Sequence, residues 1–105
     1  MEILTAVERL GALAQESRLL VFKRLIEAGD AGLAAGELSE ELEIPAPTLS
    51  FHLKDLSQSG LISSRRDGRS IIYSANYSSI NELVAYLKQN CCKRPGRKVS
   101  KKKCC

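Results

Sequence analysis

Three features of this 105-residue chain predict a mainly α fold with one β-hairpin, a winged helix-turn-helix. Two amphipathic segments are joined by the proline-bounded turn "EIPAP", strand-like runs flank Asp67-Gly68, and apolar residues at helical spacing open and close the chain before a basic end. The length allows one domain. Residues 1–90 carry the folded part and residues 91–105 form a basic, cysteine-containing tail. A core of that size buries roughly 60 to 65% of the unfolded surface and often gains stability by oligomerising.

The first helix is expected from "TAVERLGALA", with Thr5 and Glu8 in capping-box spacing and Val7, Leu10 and Ala14 as one apolar stripe. "ESRLLVFKRLIEAGD" follows, with Leu19, Phe22 and Ile26 beside Val21 and Leu25. It is apolar on most sides, so it should be buried, and it stops at Gly29. "LAAGELSEELEIP" gives a short helix with Leu38 and Leu42 inward, after which Pro45 and Pro47 bias Ile44 and Ala46 away from helical geometry. Pro47 can sit in the first turn of the next helix, "PTLSFHLKDLSQSG", with Leu49, Leu53 and Leu56 inward and Gly60 as its stop. In "LISSRRDGRSIIYSA" the Asp67-Gly68 dipeptide favours a type I′ hairpin turn, with Arg65, Arg66 and Arg69 clustered at the tip. The last helix, "SSINELVAYLKQN", has Ser79 and Glu82 in capping-box spacing, Ile80, Leu83, Val84 and Leu87 at i, i+3, i+4, i+7, and an end at Asn90.

The net charge of +4 hides a split: residues 1–90 hold nine Lys/Arg against twelve Asp/Glu, whereas residues 91–105 add seven positives and no negatives. No apolar run approaches the roughly 20 residues that span a bilayer, and "MEILTAVERL" lacks the pattern of a secretory signal, so a cytoplasmic protein without a membrane partner is expected. With one histidine, no paired acids in a motif and no phosphate-cradling glycine loop, the chain reads as no enzyme and needs no catalytic cofactor.

A winged helix-turn-helix inserts one helix into the major groove of double-stranded DNA while the hairpin's arginines reach phosphates or the minor groove. The outward positions of the second helix are Thr48, Ser50, Phe51, His52 and Lys54, and with Arg65, Arg66 and Arg69 they are the candidate DNA contacts. Phe51 can pack on a thymine methyl or tuck into the core. A lone His52 cannot assemble a histidine-rich metal site, and a packed or phosphate-facing ring is its simpler role.

All four cysteines, Cys91, Cys92, Cys104 and Cys105, lie in the last fifteen residues. Cytosolic thiols stay reduced, so a cluster of this kind suits metal binding or redox sensing better than stapling. Adjacent residues on a helix point about 100° apart, so Cys91 and Cys92 can share one ion only where the helix is ending. Asn90 suits such an ending because it tolerates the left-handed conformation. Folding back the eleven residues between Cys92 and Cys104 costs about 2 kcal/mol in its length-dependent part, against on the order of 10 kcal/mol from a structural thiolate site. The intervening Lys and Arg lower thiol pKa and favour the thiolate that binds soft metals. Four other readings stay open: thiol oxidation linking Cys91 or Cys92 to the downstream pair, four-sulfur sensing of cadmium, lead or zinc, a tail that only adds nonspecific DNA affinity, and residues of no function at all.

On "ALAQESRLLVFKRL", "ELSEELEIPAPTLSFHLKDLSQSGLISSRRDGRSIIYS" and "LVAYLKQNCC", the chain resembles the arsenical-resistance repressors, the ArsR/SmtB group of winged-helix metal-responsive repressors, over most of residues 5–92. The resemblance implies a homodimer built from the first and last helices, two reading helices in successive major grooves of an operator, and release of DNA when inducer binds. The family's founding arsenite site has cysteines at the start of the helix before the reading helix, where this chain has Ala34 and Gly36. Its zinc sensors need a histidine and carboxylate pattern that "SSINELVAYLKQN" lacks. What the resemblance leaves is a branch with cysteines just past the last helix. Arsenite or antimonite, As(III) or Sb(III), would there be held by Cys91, Cys92 and one of Cys104 and Cys105.

Overall fold

A computed structural model describes residues 1–93 and gives the order helix, helix, short strand, helix, helix, hairpin, helix. Helix α1 spans Ile3–Leu13. Its N-cap is Glu2, so Thr5 and Glu8 lie inside the helix and form no capping box; Ile3 and Leu4 continue the helix-forming run upstream of Thr5. The face turned inward carries Ala6 and Ala12, small residues that allow close approach. Val7 is 56% exposed, Leu10 is exposed too, and Ala14 is outside the helix, so the expected stripe faces away from the core.

Helix α2 (Glu16–Ala28) buries Val21, Phe22 and Leu25 and ends at Gly29, whose φ of +71° suits glycine. Ile26 is partly covered, while Leu19 and Leu20 are exposed, so only one side of this helix is buried rather than most of it. A single 3₁₀ turn (Gly29–Ala31) leads into strand β1 (Leu33–Ala34), which the sequence pattern did not announce. Gly32, at φ +68°, permits the crossing: a Cβ there would run into the Tyr73 carbonyl oxygen and lie 2.8 Å from Ile72 Cγ2.

Helix α3 (Ala35–Leu42) buries Leu38, half-buries Leu42, and ends at Glu43 in the left-handed region. Glu37 accepts a hydrogen bond from the Ala34 N–H at 3.1 Å. After the three-residue turn, α4 (Ala46–Gln58) starts on Pro45 as N-cap, with Pro47 in its first turn. Ala46 is therefore helical, contrary to expectation, because the first turn demands no N–H from Pro47 and the steric bias against a helical residue before proline is outweighed there. Leu49, Leu53 and Leu56 point into the core as expected. Arg24 on α2 clamps α3 through both Glu41 oxygens (2.7 and 3.3 Å), a bond that pushes its already strongly basic guanidinium further up.

Strands β2 (Ile62–Asp67) and β3 (Ser70–Ala75) pair antiparallel, and β1 adds to the far side of β3 in the order β1-β3-β2. Asp67 pairs with Ser70, so the two-residue loop is Gly68-Arg69 rather than Asp67-Gly68. Gly68 has φ +64° and Arg69 is not in the positive-φ region, the φ pattern of a type II′ turn instead of type I′. Helix α5 (Tyr77–Lys88) begins two residues before Ser79. Its N-cap Asn76 spends its side-chain amide on the Gly60 carbonyl (3.1 Å), and Ser79 is buried inside the first turn, so no Ser79–Glu82 box forms. Leu83 is buried and Ile80 partly so, but Val84 and Leu87 remain exposed.

The core is built by α2, α3, α4 and the base of the hairpin around Val21, Leu25, Leu38, Leu56 and Leu61. The exposed apolar residues of α1 and α5 lie outside it, on two helices that pack together. No helix among the described residues is long and apolar enough to cross a membrane.

Candidate nucleic-acid interface and terminal thiol pair

Burying Leu49, Leu53 and Leu56 fixes which side of α4 faces outward. Thr48, Ser50 and Lys54 are exposed, and Phe51 is 69% exposed, so its ring is on the outer face and not in the core. His52 is half-buried, and its Nδ1 is enclosed without a hydrogen-bond partner among the described residues. The helix thus presents hydroxyls, an ammonium and one ring, a set able to meet phosphates, base edges and a thymine methyl.

The three hairpin arginines do not form one cluster. Arg69 occupies the turn, Arg66 sits opposite Ile71, and Arg65 sits opposite Ile72, further down the ladder. The Arg65 guanidinium reaches back to the 3₁₀ turn and donates to the Asp30 and Ala31 carbonyls at 3.2 and 2.8 Å. All three are exposed, yet Arg65 braces the wing, whereas Arg66 and Arg69 have no hydrogen-bond or ion-pair partner among the described residues.

Sequence reasoning missed the polar groups that tie the helices together, because most of these bonds join residues far apart in the chain. Arg18 Nε donates to the Ala12 carbonyl at 2.6 Å, and Nη1 pairs with Asp55 on α4 at 3.3 Å. Arg9 Nη1 donates to the Ser79 carbonyl at 2.9 Å and pairs with Glu82 at 3.3 Å, locking α1 to α5. The Tyr77 hydroxyl donates to the Ile26 carbonyl at 2.7 Å, fixing the start of α5 on α2.

At the other end of α5 the chain turns out of the helix. Asn90 has φ +63° and Cys92 φ +58°, and the Cys91 N–H bonds the Lys88 carbonyl at 2.9 Å. The left-handed Asn90 expected for a helix end is present. It brings Cys91 Sγ and Cys92 Sγ to 3.6 Å, too far for a bond to each other, which needs about 2.05 Å. Both residues are disulfide-bonded. Cys104 and Cys105 lie outside the described residues. Among the described residues no group of three potential ligands forms a metal site.

A helix-turn-helix whose second helix is bare on its outer face, followed by an arginine-bearing wing, defines a winged helix-turn-helix DNA-binding protein. The helix-turn-helix domain family matches residues 13–65. The chain is 36% identical to the HTH-type transcriptional regulator YgaV of Escherichia coli over 87 residues, 83% of this chain and 86% of that one. It is 32% identical to the arsenical resistance operon repressor of Staphylococcus aureus over 75 residues, 71% of this chain and 69% of the relative. An ArsR-like transcriptional regulator from a Rhodococcus species superposes with a TM-score of 0.76 at 26% identity, covering 86% of this chain and 82% of that one. The chain belongs to the ArsR/SmtB family of transcriptional regulators. That is a DNA-binding and not an enzymatic family, as the sequence led us to expect.

Proposed function

We propose that the chain is a homodimeric repressor that holds operator DNA until trivalent arsenic or antimony binds sulfur at the end of α5. The observation that carries this reading is the pair of sulfurs at the helix end, 3.6 Å apart. With metal–thiolate bonds of about 2.3 Å, that separation subtends about 100° at a shared ion, an angle open to a three-sulfur pyramid. Reduction of the disulfides frees the sulfurs, and Cys104 or Cys105 completes the set. The likeness to a repressor named for arsenical resistance supports the inducer.

Dimerisation is supported by the apolar surface that the core leaves over. Val7 and Leu10 on α1, with Val84 and Leu87 on α5, are exposed on two neighbouring helices, and pairing them with a second copy removes them from water. Each copy then brings one α4 to the operator, where Thr48, Ser50, Phe51, His52 and Lys54 read the groove while Arg66 and Arg69 touch phosphate. Residues 1–90 do this work, and residues 91–105 carry the sensor. Capture of arsenic draws the tail against α5, inside the dimer interface, and changes how the two reading helices are set. If the seven positive charges of the tail also touch phosphates, capture removes them and flattens the salt dependence of binding by about 0.9 per contact.

The test is arsenite binding to fully reduced protein, followed by the sulfur-to-arsenic absorbance in the near ultraviolet. One equivalent per chain is expected for the wild type. Cys91→Ser and Cys92→Ser should each abolish it, and full binding by both variants would end the proposal.

A second reading is a redox-sensing repressor, whose oxidised form would hold Cys91 and Cys92 in disulfides. Peroxide-treated protein that releases DNA through disulfides at Cys91 or Cys92, with arsenite inert, would select it.

A further inference from the structure

Arg18 belongs to the first turn of α2, yet its guanidinium joins two other helices. Nε and Nη2 reach the Ala12 and Gly11 carbonyls at 2.6 and 3.4 Å, and Nη1 meets Asp55 at 3.3 Å. Those carbonyls belong to the last turn of α1, where helix geometry leaves acceptors short of intrahelical donors; the Gly11 carbonyl also accepts the Ala14 N–H at 3.2 Å. Asp55 lies one turn beyond Phe51 on α4, away from the apolar face formed by Leu49, Leu53 and Leu56. One planar fork therefore links the end of α1 to the flank of the reading helix. Beside the fork the joint is not filled by side chains: a cavity of about 220 Å³ opens between Glu8, Gly11, Gln58 and Ser59. At its middle, α1 is fastened to α5 by Arg9, whose side chain is only 13% exposed. Arg9 thus ties α1 to α5, and Arg18, on α2, is the polar strut between α1 and α4.

We propose that Arg18 and Asp55 determine which spacing of operator half-sites the protein accepts, by fixing the angle of α4 against α1 without touching a base. The inference rests on the dimeric reading above, since two reading heads are needed for a spacing to exist. Adding one base pair between half-sites turns one site against the other by about 34° and moves it by about 3.4 Å. Rigid heads reject that change, and heads on a loosened joint swing to follow it. Arginine suits the task because its rigid fork engages two carbonyls and a carboxylate at once, which a lysine ammonium on a flexible stem cannot do.

The experiment uses a duplex operator selected by the full-length reduced wild type from a randomised DNA pool, and derivatives with one base pair added or removed between half-sites. The readout is the ratio of affinities for the selected and altered spacings. Removing the Asp55 charge strengthens binding to every DNA alike, so the ratio isolates geometry. Asp55→Asn and Arg18→Lys should each lower the ratio by about fivefold or more, the lower end of what coupled sites show. Asp55→Glu, which keeps a carboxylate within reach, should preserve it. Thermal unfolding of each variant checks that the fold is intact, and Asp55, at 48% side-chain exposure, can be changed without opening the core. A wild-type ratio in Asp55→Asn and Arg18→Lys, or a ratio lost in Asp55→Glu, overturns the inference. A wild type indifferent to spacing instead sinks the dimeric reading, and the inference with it.

Discussion

Replacing Arg65 by alanine separates two jobs that an arginine on the hairpin can do. Its guanidinium donates to the Asp30 and Ala31 carbonyls at 3.2 and 2.8 Å, bracing β2 against the turn that follows α2. A hydrogen bond from a charged donor contributes about 1.5 to 3 kcal/mol when protected from water. This one is exposed, so about 1 kcal/mol for the pair is the reasonable expectation. For a domain of this size the loss lowers Tm by about 4 to 8 °C. Arg66→Ala and Arg69→Ala should leave stability within about 0.5 kcal/mol of wild type and instead flatten the dependence of operator affinity on salt. The logarithmic slope should fall by about 0.9 per phosphate contact removed, or close to 2 per dimer when both copies lose one. Calorimetry of the three variants, with operator titrations across a salt series, decides the matter. If Arg65→Ala melts with the wild type and flattens the salt slope as much as Arg69→Ala does, the brace is not its role.

Leu87, 57% exposed on α5, should be dispensable for the fold but not for association; Leu87→Glu places two carboxylates in the two-fold interface proposed above, and sedimentation should show a dimer weakened by about 100-fold or more with unchanged helical circular dichroism. Gly32→Ala drives a Cβ into the β3 backbone at a positive-φ position, so a loss of at least about 2 kcal/mol in denaturant unfolding is expected. Tyr77→Phe removes the 2.7 Å bond to the Ile26 carbonyl and should cost about 1 kcal/mol, visible as a lower urea midpoint at unchanged slope.

The sequence was most legible where periodicity and turn chemistry agreed. Leu38, Leu49, Leu53, Leu56 and Leu83 all point inward as their spacing predicts, and Gly29 and Gly60 end their helices at positive φ. It was misleading where one pattern has two meanings. Val7, Leu10, Val84 and Leu87 have the spacing of core residues but lie on the surface, because an apolar stripe records a hydrophobic face without saying what covers it. Both capping boxes failed for a similar reason: Ser79 and Thr5 match the motif, yet each lies one or more residues inside a helix that starts earlier. Strand β1 is two residues long and has no period to detect. At the site, the outward face of α4 and the helix end before Cys91 could be read from residue types, whereas Arg18–Asp55 and Arg65–Asp30 pair across 37 and 35 positions and leave no local trace.

The measurement closest to the central claim is operator affinity of the fully reduced protein as arsenite is added, for wild type and for the Cys91→Ser and Cys92→Ser variants. Affinity of the wild type should fall by about 5- to 150-fold, the usual span of coupling between two sites, while neither variant should respond. A wild type saturated with arsenite that still binds its operator at full strength would contradict the account.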